Sequence, residues 1–235
     1  MALPEEASEN ATGEPDRDCR LCPRLAQFRT AQRAAFPDWH NAPVPAFGAK
    51  DGRLLIVGLA PGLRGANRTG RPFTGDYAGD LLYATLAKFG WCRGAYAQRP
   101  DDGLTLVDCR ITNAVRCVPP ENKPAPSEIA ACRSFLATEL KQLARLKAVL
   151  ALGAIAHRAV LAALGQRQSA YPFAHGAMHE LGGGLLLADS YHCSRYNTNT
   201  GKLTTAMFEA IFAEIGARLK AEPQAHRSTP PLPFR

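Results

Sequence analysis

Four short runs of apolar residues punctuate this chain of 235 residues. They cover residues 54–57, 104–107, 148–152 and 185–188, and two of them end directly on a glycine, Gly58 and Gly153. Runs of this length without polar alternation are typical of parallel strands that are covered on both faces. The sequence therefore predicts four buried, parallel strands.

Helical periodicity fills the stretches around these strands. We expect helices over residues 78–89, 127–146, 154–164 and 203–220, with Ser127 as the N-cap of the second. The apolar stripe of the last helix is interpreted as core rather than as a binding face. Alternating strands and helices predict an α/β fold, a three-layer α/β/α sandwich with a central, mainly parallel sheet of about four strands. Ligands of such sheets bind at the carboxyl ends of the strands.

Charge is distributed unevenly along the chain. Lys and Arg number 28 against 21 Asp and Glu, which gives a formal net charge of +7. Acidic residues are concentrated in the first 18 positions, so the rest of the chain is strongly basic. A basic body favours a polyanionic partner such as nucleic acid, and the alternative is an arginine-rich, solvated surface.

Both ends of the chain are predicted to be disordered. Residues 1–16 form an acidic tail and residues 222–235 a Pro-rich tail, which leaves one domain over residues 17–221. Apolar runs are too short for a membrane span, and the acidic N-terminus does not resemble a secretory signal. We expect a cytoplasmic protein that is a monomer and has no membrane partner.

Seven cysteines argue against a disulfide framework in a cytoplasmic chain. Cys19 and Cys22 form a CxxC pair, and Cys117 and Cys132 flank a Pro-rich loop that leads into a helix. Four such thiolates indicate zinc or an iron–sulfur cluster. The other three cysteines are expected to be free thiols, with Cys109 in a strand: Cys92, Cys109 and Cys193.

Polar loops follow three of the predicted strands. Residues 58–76 form a glycine-rich, basic loop that suits either an anion or a structural turn. Asn113 has the donors and acceptor to read a base edge, and the alternative is a cap of the following turn. His192 leads a polar loop that suits a ligand, although a lone histidine is more often structural.

The segments GLAPGLRGANRTGRPFTGD, ITNAVRC and HCSRYNTNTG, with the CxxC pair, resemble the family 5 uracil-DNA glycosylases, the b-type iron–sulfur enzymes. The resemblance runs from about Cys19 to Phe212. It implies an enzyme of base excision repair that extrudes a damaged base from DNA and hydrolyses its N-glycosidic bond. The implied partner is damaged DNA, single- or double-stranded.

The resemblance also implies roles for individual residues. Asn113 reads the edge of the extruded base, and Phe73 stacks on its face. His192 hydrogen-bonds a base oxygen, and Asp76 positions or activates water. The other base-binding residues are Gly58 and Ala60. The DNA-binding residues are Arg64, Arg68, Arg71, Ser194, Arg195 and Tyr196. The ligands of a [4Fe–4S] cluster, for which we favour a structural role over a redox role, are Cys19, Cys22, Cys117 and Cys132.

Two departures from the family pattern bear on substrate choice and on loop rigidity. Leu59 stands where other uracil-DNA glycosylase families place a carboxylate, and Gly62 provides no bulk against a 5-methyl group, so we hypothesise a range that extends to hypoxanthine, xanthine and etheno-cytosine. In the His motif Cys193 replaces the usual Pro, which predicts a less rigid loop. Tyr196 replaces the usual Gln and offers a larger stacking wedge.

Two other functions remain open at this point. One is a non-catalytic, metal-containing DNA- or RNA-binding module on the same fold, and the other is a zinc-containing nucleotide hydrolase. The presence of Asp76, Asn113 and His192 favours the enzyme over the module. The matched motifs contain no lysine, so we expect a monofunctional glycosylase without lyase activity.

Overall fold

A computed structural model describes residues 13–221 of the protein. Most of both predicted tails, residues 1–12 and 222–235, lies outside the described residues. Residues 13–16, which were expected to belong to the acidic tail, instead pack against the body: Pro15 is buried, and the Glu14 carboxylate lies 2.9 Å from the guanidinium of Arg116. The ordered body therefore begins before residue 17.

The α-helices and strands of the described chain alternate only in part. In chain order they are α1 (Pro23–Ala35), β1 (Phe47–Gly48), β2 (Leu54–Gly58), α2 (Ala66–Thr69), α3 (Tyr77–Lys88), β3 (Cys92–Arg93), β4 (Thr105–Leu106), β5 (Cys109–Asn113), α4 (Pro126–Gln142), β6 (Ala148–Leu152), α5 (Ala154–Ala163), β7 (Met178–Leu181), β8 (Leu185–Ser190), α6 (Arg195–Asn199) and α7 (Thr205–Ala221).

A six-stranded sheet with the order β1-β5-β2-β6-β8-β7 forms the centre of the domain. Its four central strands are parallel, and the short edge strands β1 and β7 pair antiparallel. This confirms the predicted α/β sandwich with a mainly parallel sheet. The two additional strands lie at the edges of the sheet. Their residues are partly exposed, so they lack the continuous apolar run by which a central strand is predicted.

The second strand of the sheet was predicted at residues 104–107, and this prediction was wrong. Thr105–Leu106 pairs with β3 in a separate two-stranded ribbon, and β5 supplies the sheet strand instead. The sequence of β5 is CRITN, and its polar residues interrupt the apolar run by which a buried strand is predicted. Arg110 is tolerated there because its guanidinium lies 2.6 Å from the carboxylate of Glu139. Cys109 is fully buried in this strand, as expected.

Helices 78–89, 154–164 and 203–220 are confirmed to within about two residues. The helix predicted over residues 127–146 is shorter and ends at Gln142. Its N-cap is Ala125 rather than Ser127, because Pro126 takes the first helical position and the Glu128 carboxylate accepts the Ala125 N–H at 2.7 Å. Helix α1 was not predicted.

The core lies on both faces of the sheet. Alternate residues of β2 point to opposite faces, so Leu54 and Ile56 pack with α3 and α7, whereas Leu55 and Val57 pack with α4 and α5. Phe208 and Phe212 of α7 are fully buried in the first of these layers, which confirms that the stripe is core. The layers hold the strand ends in fixed positions, and the loops after β2, β5 and β8 meet there.

Candidate active site and cysteine cluster

A cleft of about 700 Å³ opens at the carboxyl ends of β2, β5 and β8. This is the edge of a parallel sheet at which ligands are expected. It brings together five of the predicted site residues: Ala60, Phe73, Asp76, Asn113 and His192. Three of the predicted DNA-binding residues also line it: Arg64, Ser194 and Arg195.

Gly58 forms part of the floor through its missing side chain. A Cβ atom at this position would lie 2.4 Å from Oδ1 of Asn113 and 2.6 Å from Cζ of Phe73. Only glycine therefore allows the ring and the amide to approach the end of β2 this closely. Phe73 has a φ of +52°, an unfavourable backbone conformation for a side chain of this size. Strain of this kind is retained where the surrounding structure requires it, often at a binding site.

Asn113 is the last residue of β5 and is only 3% exposed. Its Oδ1 atom has no hydrogen-bond partner among residues 13–221. Leaving a buried acceptor unpaired costs about 1–3 kcal/mol, and of the buried, unpaired side-chain atoms among residues 13–221 this is the one whose residue lines the cleft. The acceptor lines the cleft, where a ligand with an N–H group can satisfy it.

His192 lies across the cleft, with its ring stacked beside Phe73 at a centroid distance of 5.9 Å and an interplanar angle of 29°. Burial lowers the pKa of His192 to about 4. The imidazole is therefore neutral near physiological pH and keeps one N–H to donate. Its backbone carbonyl accepts from the Asn197 side-chain amide at 2.8 Å, which fixes the start of the loop.

Asp76 combines a structural and a chemical position. It is the N-cap of α3, where its Oδ1 accepts the Gly79 N–H at 3.3 Å. Its Oδ2 faces Gly65, where a Cβ atom would lie 2.3 Å away. Burial is the main cause that raises the pKa of Asp76. One carboxylate oxygen thus caps the helix, and the other faces the cleft.

The His192 loop is tied to its surroundings at two points. The Cys193 thiol is fully buried and donates to the Ala78 carbonyl at 3.4 Å, which joins the loop to α3. Ser194 is the N-cap of α6, so the Asn197 N–H donates to its hydroxyl at 3.4 Å. Tyr196, in the first turn of α6, is 74% exposed.

The three arginines of the glycine-rich loop have different environments. Arg64 and Arg68 are exposed. Arg71 is 4% exposed and forms a two-pronged ion pair with Asp102, both N–O distances being 2.7 Å. Three aromatic rings surround the same guanidinium, so it is unavailable to phosphate. The predicted DNA-binding role of Arg71 is therefore wrong, and the residue holds the loop instead.

The four predicted ligand cysteines converge away from the cleft, around a small cavity of about 10 Å³. Arg29 of α1 donates to Sγ of Cys117, and the Arg116 N–H donates to Sγ of Cys132, each at 3.4 Å. Such contacts stabilise thiolates rather than thiols. Burial is the main cause that raises the pKa of Cys22 to about 11 and of Cys117 to about 12.

Sulfur spacing tests which group this site fits. In a zinc site with Zn–S bonds of about 2.3 Å the sulfurs lie about 3.8 Å apart. Within the described chain, the only set of three metal-binding side chains with all ligand atoms within 4.8 Å of one another is His157, His179 and Asp189. The cysteine sulfurs are thus more widely spaced than a single zinc ion requires. Four cysteine thiolates are also the usual ligands of a [4Fe–4S] cluster.

The cleft also contains a residue from a loop that was not predicted to reach it. Asn122 enters the cleft from the Pro-rich loop between Cys117 and Cys132, with a φ of +56°. The cleft and the cysteine cluster are therefore connected by a single loop. No local pattern marks Asn122, although its position after Cys117 in a loop bounded by two cysteines was visible in the sequence.

A mainly parallel α/β/α sandwich thus carries an amide, an imidazole and a carboxylate around one cleft, the groups that a hydrolytic enzyme acting on a nucleobase needs. A model of the uracil DNA glycosylase superfamily matches residues 45–216. A type-5 uracil-DNA glycosylase of Thermus thermophilus is 48% identical over 83% of this chain and 91% of its own length. Those of Mycobacterium bovis and Pyrobaculum aerophilum are 43% and 39% identical over 83% and 85% of this chain and 76% and 88% of their own. The chain belongs to the type-5 branch of this superfamily.

Proposed function

We propose that this enzyme extrudes uracil from DNA and removes it by hydrolysis of the N-glycosidic bond. The observation that carries the proposal is the unpaired, buried Oδ1 of Asn113 at the end of β5. Uracil presents an N–H donor at N3 between two carbonyl oxygens. The Asn113 amide matches this edge, because Oδ1 accepts from N3 while the amide N–H₂ donates to O4. Release of free uracil from a uracil-containing duplex tests the proposal directly.

In this proposal the extruded base stacks on the ring of Phe73 inside the cleft. Stacking on an aromatic ring contributes about 1–3 kcal/mol per base, which offsets part of the cost of unstacking the nucleotide. His192 then donates its N–H to the second base oxygen. As the bond to the sugar breaks, negative charge develops on the leaving base, and a fixed donor that is already in place stabilises it. A neutral imidazole supplies that donor without a prior proton transfer.

Water activation falls to Asp76 in this proposal. Leu59 offers no carboxylate at the position that other uracil-DNA glycosylase families use, and it lines the cleft as an apolar residue. The free Oδ2 of Asp76 faces the cleft beside Gly65 and accepts a proton from water. Its raised pKa makes it a stronger base than an ordinary surface carboxylate.

The pH dependence of base release separates these two roles. Because the pKa of Asp76 is raised by burial, we expect the rate to fall with decreasing pH before ordinary carboxylates titrate, at about 4. His192, with a pKa of about 4, adds no change near the ordinary histidine value of about 6.5. Single-turnover rates across the acidic and neutral range measure this. An inflection near 6.5 that His192→Gln removes would contradict the neutral imidazole.

Asp76→Asn provides a matched variant for the same experiment. The folded-state pKa of Asp76 is raised, so the unfolded chain ionises first, and stability is lost as pH rises through the folded value. Asn caps helices as well as Asp does. We therefore expect the variant to lose the acidic limb and most of its activity, yet to unfold at a higher temperature at neutral pH. A less stable variant would contradict this assignment.

The range of substrates follows from the edge that Asn113 reads. Hypoxanthine and xanthine also present an N–H beside a carbonyl oxygen, so they offer the same pattern. Gly62 lines the cleft without a side chain of its own, and a Cβ atom there would already lie 3.0 Å from Oδ2 of Asp76, so glycine leaves this part of the cleft to the ligand. We extend the proposal to these two bases on that ground, and to etheno-cytosine on stacking and space alone.

We further propose that Cys19, Cys22, Cys117 and Cys132 hold a [4Fe–4S] cluster with a structural role. When bound, the cluster cross-links α1, the end of β5 and α4, and it anchors the loop that carries Asn122. Anaerobically purified protein is expected to be brown, and Cys132→Ala to be colourless, as judged by visible absorption and iron analysis. Cys92→Ala is the control, because that thiol lies in the core away from the four ligands. Stoichiometric zinc with no iron would contradict the cluster.

The surface around the cleft suits the binding of DNA, as a duplex or as a single strand, in base excision repair. Arg64 and Arg195 are exposed beside it, where they neutralise phosphates, and Arg68 lies close by. Tyr196 is proposed as the wedge that fills the space left by the base. We propose a cytoplasmic, monomeric enzyme whose glycosylase domain covers residues 17–221 and is extended at its N-terminal end by residues 13–16, which pack against it. No helix of residues 13–221 has the length and apolarity to cross a membrane.

A further inference from the structure

A second cleft, of about 550 Å³, lies beside the first and has no part in the chemistry described above. Its polar lining is dominated by three exposed arginines, Arg17, Arg68 and Arg99, against one carboxylate, Asp38. Arg99 has a carboxylate 3.7 Å away, from the exposed Asp101. An exposed pair at this distance contributes little, so the cleft retains most of its positive potential.

Aromatic surface adjoins these charges. Trp39 lines the cleft and stacks face to face on Phe36, with ring centroids 4.0 Å apart and an interplanar angle of 9°. Phe36 is 39% exposed, one of two large apolar side chains so exposed among residues 13–221. Positive charge beside a partly exposed aromatic ring is a combination that binds single nucleic-acid strands.

The wall between the two clefts is thin and well fixed. The wall is the short helix α2 with its N-cap, Gly65. Gly65 lines the catalytic cleft and Thr69 lines the second cleft, and one helical turn of about 5 Å separates them. Asn67 is buried in this wall and donates through its side-chain amide to Oδ1 of Asn41 at 2.9 Å. Arg68 is close to both clefts. It lines the second cleft, and its guanidinium lies near Gly75 of the catalytic cleft.

We propose that the second cleft binds the nucleotides that flank the target on the same DNA strand, with Trp39 as a stacking platform and Arg17 and Arg99 on the phosphates. The inference rests on the proposed function. Successive phosphates of one strand lie about 3.4 Å apart along the helix axis, so a strand reaches from one cleft to the other within about two nucleotides. Phosphate contacts and base stacking do not depend on the base sequence, so the second cleft binds a DNA strand of any sequence.

Substrate length tests the proposal. Uracil release is measured on a single strand of about 20 nucleotides and on one of about 3 with uracil at its centre, which is too short to reach the second cleft. Each strand is tested with the wild type, Arg17→Ala/Arg99→Ala and the control Arg158→Ala, which removes one exposed charge from α5. For the double variant we expect KM on the long strand to rise about tenfold, with kcat unchanged, and the slope of log KM against log salt to fall by about 1.4. On the short strand all three proteins should behave alike.

The outcomes separate this inference from the proposed function. An unchanged KM of the double variant on the long strand would overturn the second cleft while leaving the glycosylase intact. Absence of uracil release from the wild type on either strand would overturn both. Trp39 gives a second readout, because Trp91, the other tryptophan, is buried. A long strand without uracil should quench its fluorescence more than the short one does, and equal quenching would count against the proposal.

Discussion

Asn113→Ala is expected to lower the single-turnover rate of uracil release by about 10³-fold. Removal of one fixed hydrogen-bond donor or acceptor from a catalytic site typically costs about 10²–10³-fold, and Asn113 supplies both to the base edge. The residue is buried at the end of β5, so no water replaces the lost contacts at equal strength. The rate is measured with enzyme in excess over a uracil-containing duplex, so that product release does not enter.

Thr112→Val is the matched control for this variant. Thr112 precedes Asn113 in the same strand, is fully buried, and has a hydroxyl oxygen without a hydrogen-bond partner among residues 13–221. Its side chain points to the opposite face of the sheet. The replacement keeps the shape and removes the unpaired hydroxyl, so we expect a stable protein with unchanged uracil release. Equal activity of Asn113→Ala and Thr112→Val would show that the amide does not read the base.

Glu139→Ala is expected to lower the free energy of unfolding by about 3–5 kcal/mol. The Glu139 carboxylate joins two buried guanidinium groups, with N–O distances of 2.6 Å to both Arg110 and Arg116. Removal of the acid leaves two positive charges that water does not reach, which is the costly way to break a buried ion pair. Glu14 stays within 2.9 Å of Arg116 and offsets part of the loss. Urea unfolding of the intact protein measures the change.

Glu209→Ala is the control for that loss. Glu209 pairs with Lys88 at 2.6 Å, but the lysine side chain is mostly exposed. Exposed pairs contribute about 0–1 kcal/mol, so this variant should unfold close to the wild type. The two variants remove the same chemical group, but Glu139 pairs with two buried guanidinium groups and Glu209 with one exposed ammonium group. A loss of less than about 1 kcal/mol for Glu139→Ala would contradict the account of this network.

The network of Glu139 also connects the two functional parts of the molecule. Arg116 follows β5, three residues after Asn113, and its backbone N–H donates to the sulfur of Cys132. Its guanidinium is held by Glu139 of α4, the helix that also carries Cys132. The cysteine cluster and the base-reading amide are therefore positioned by the same strand end and the same helix.

Much of the site could be predicted because strand ends in a parallel sheet converge. Asn113 ends one strand and His192 follows another, so the topology brings these two to one cleft, whereas the role of Asp76 was implied only by the family resemblance. The four cysteines likewise converge as their spacing predicted. Both predictions use short-range sequence patterns. One pattern is an apolar run followed by a polar residue, and the other is a pair of cysteines at a fixed separation.

The parts that could not be predicted depend on contacts that are distant in sequence. Arg71 resembles a phosphate ligand until Asp102, 31 residues away, pairs with its guanidinium. The strand at β5 looks too polar for a sheet centre until Glu139 neutralises Arg110. Asn122 reaches the cleft through a loop conformation that no local pattern specifies. Each error comes from a buried charge or loop whose partner lies elsewhere in the chain.

The most direct test of the central claim is base release from a uracil-containing duplex by anaerobically purified protein, beside its hypoxanthine counterpart and with Asn113→Ala and Asp76→Asn in parallel. We predict that the wild type releases uracil and hypoxanthine, and that both variants release either base far more slowly while they remain folded. Tight, salt-sensitive DNA binding by the wild type without any release of base would contradict the account and leave a DNA-binding module on the same fold.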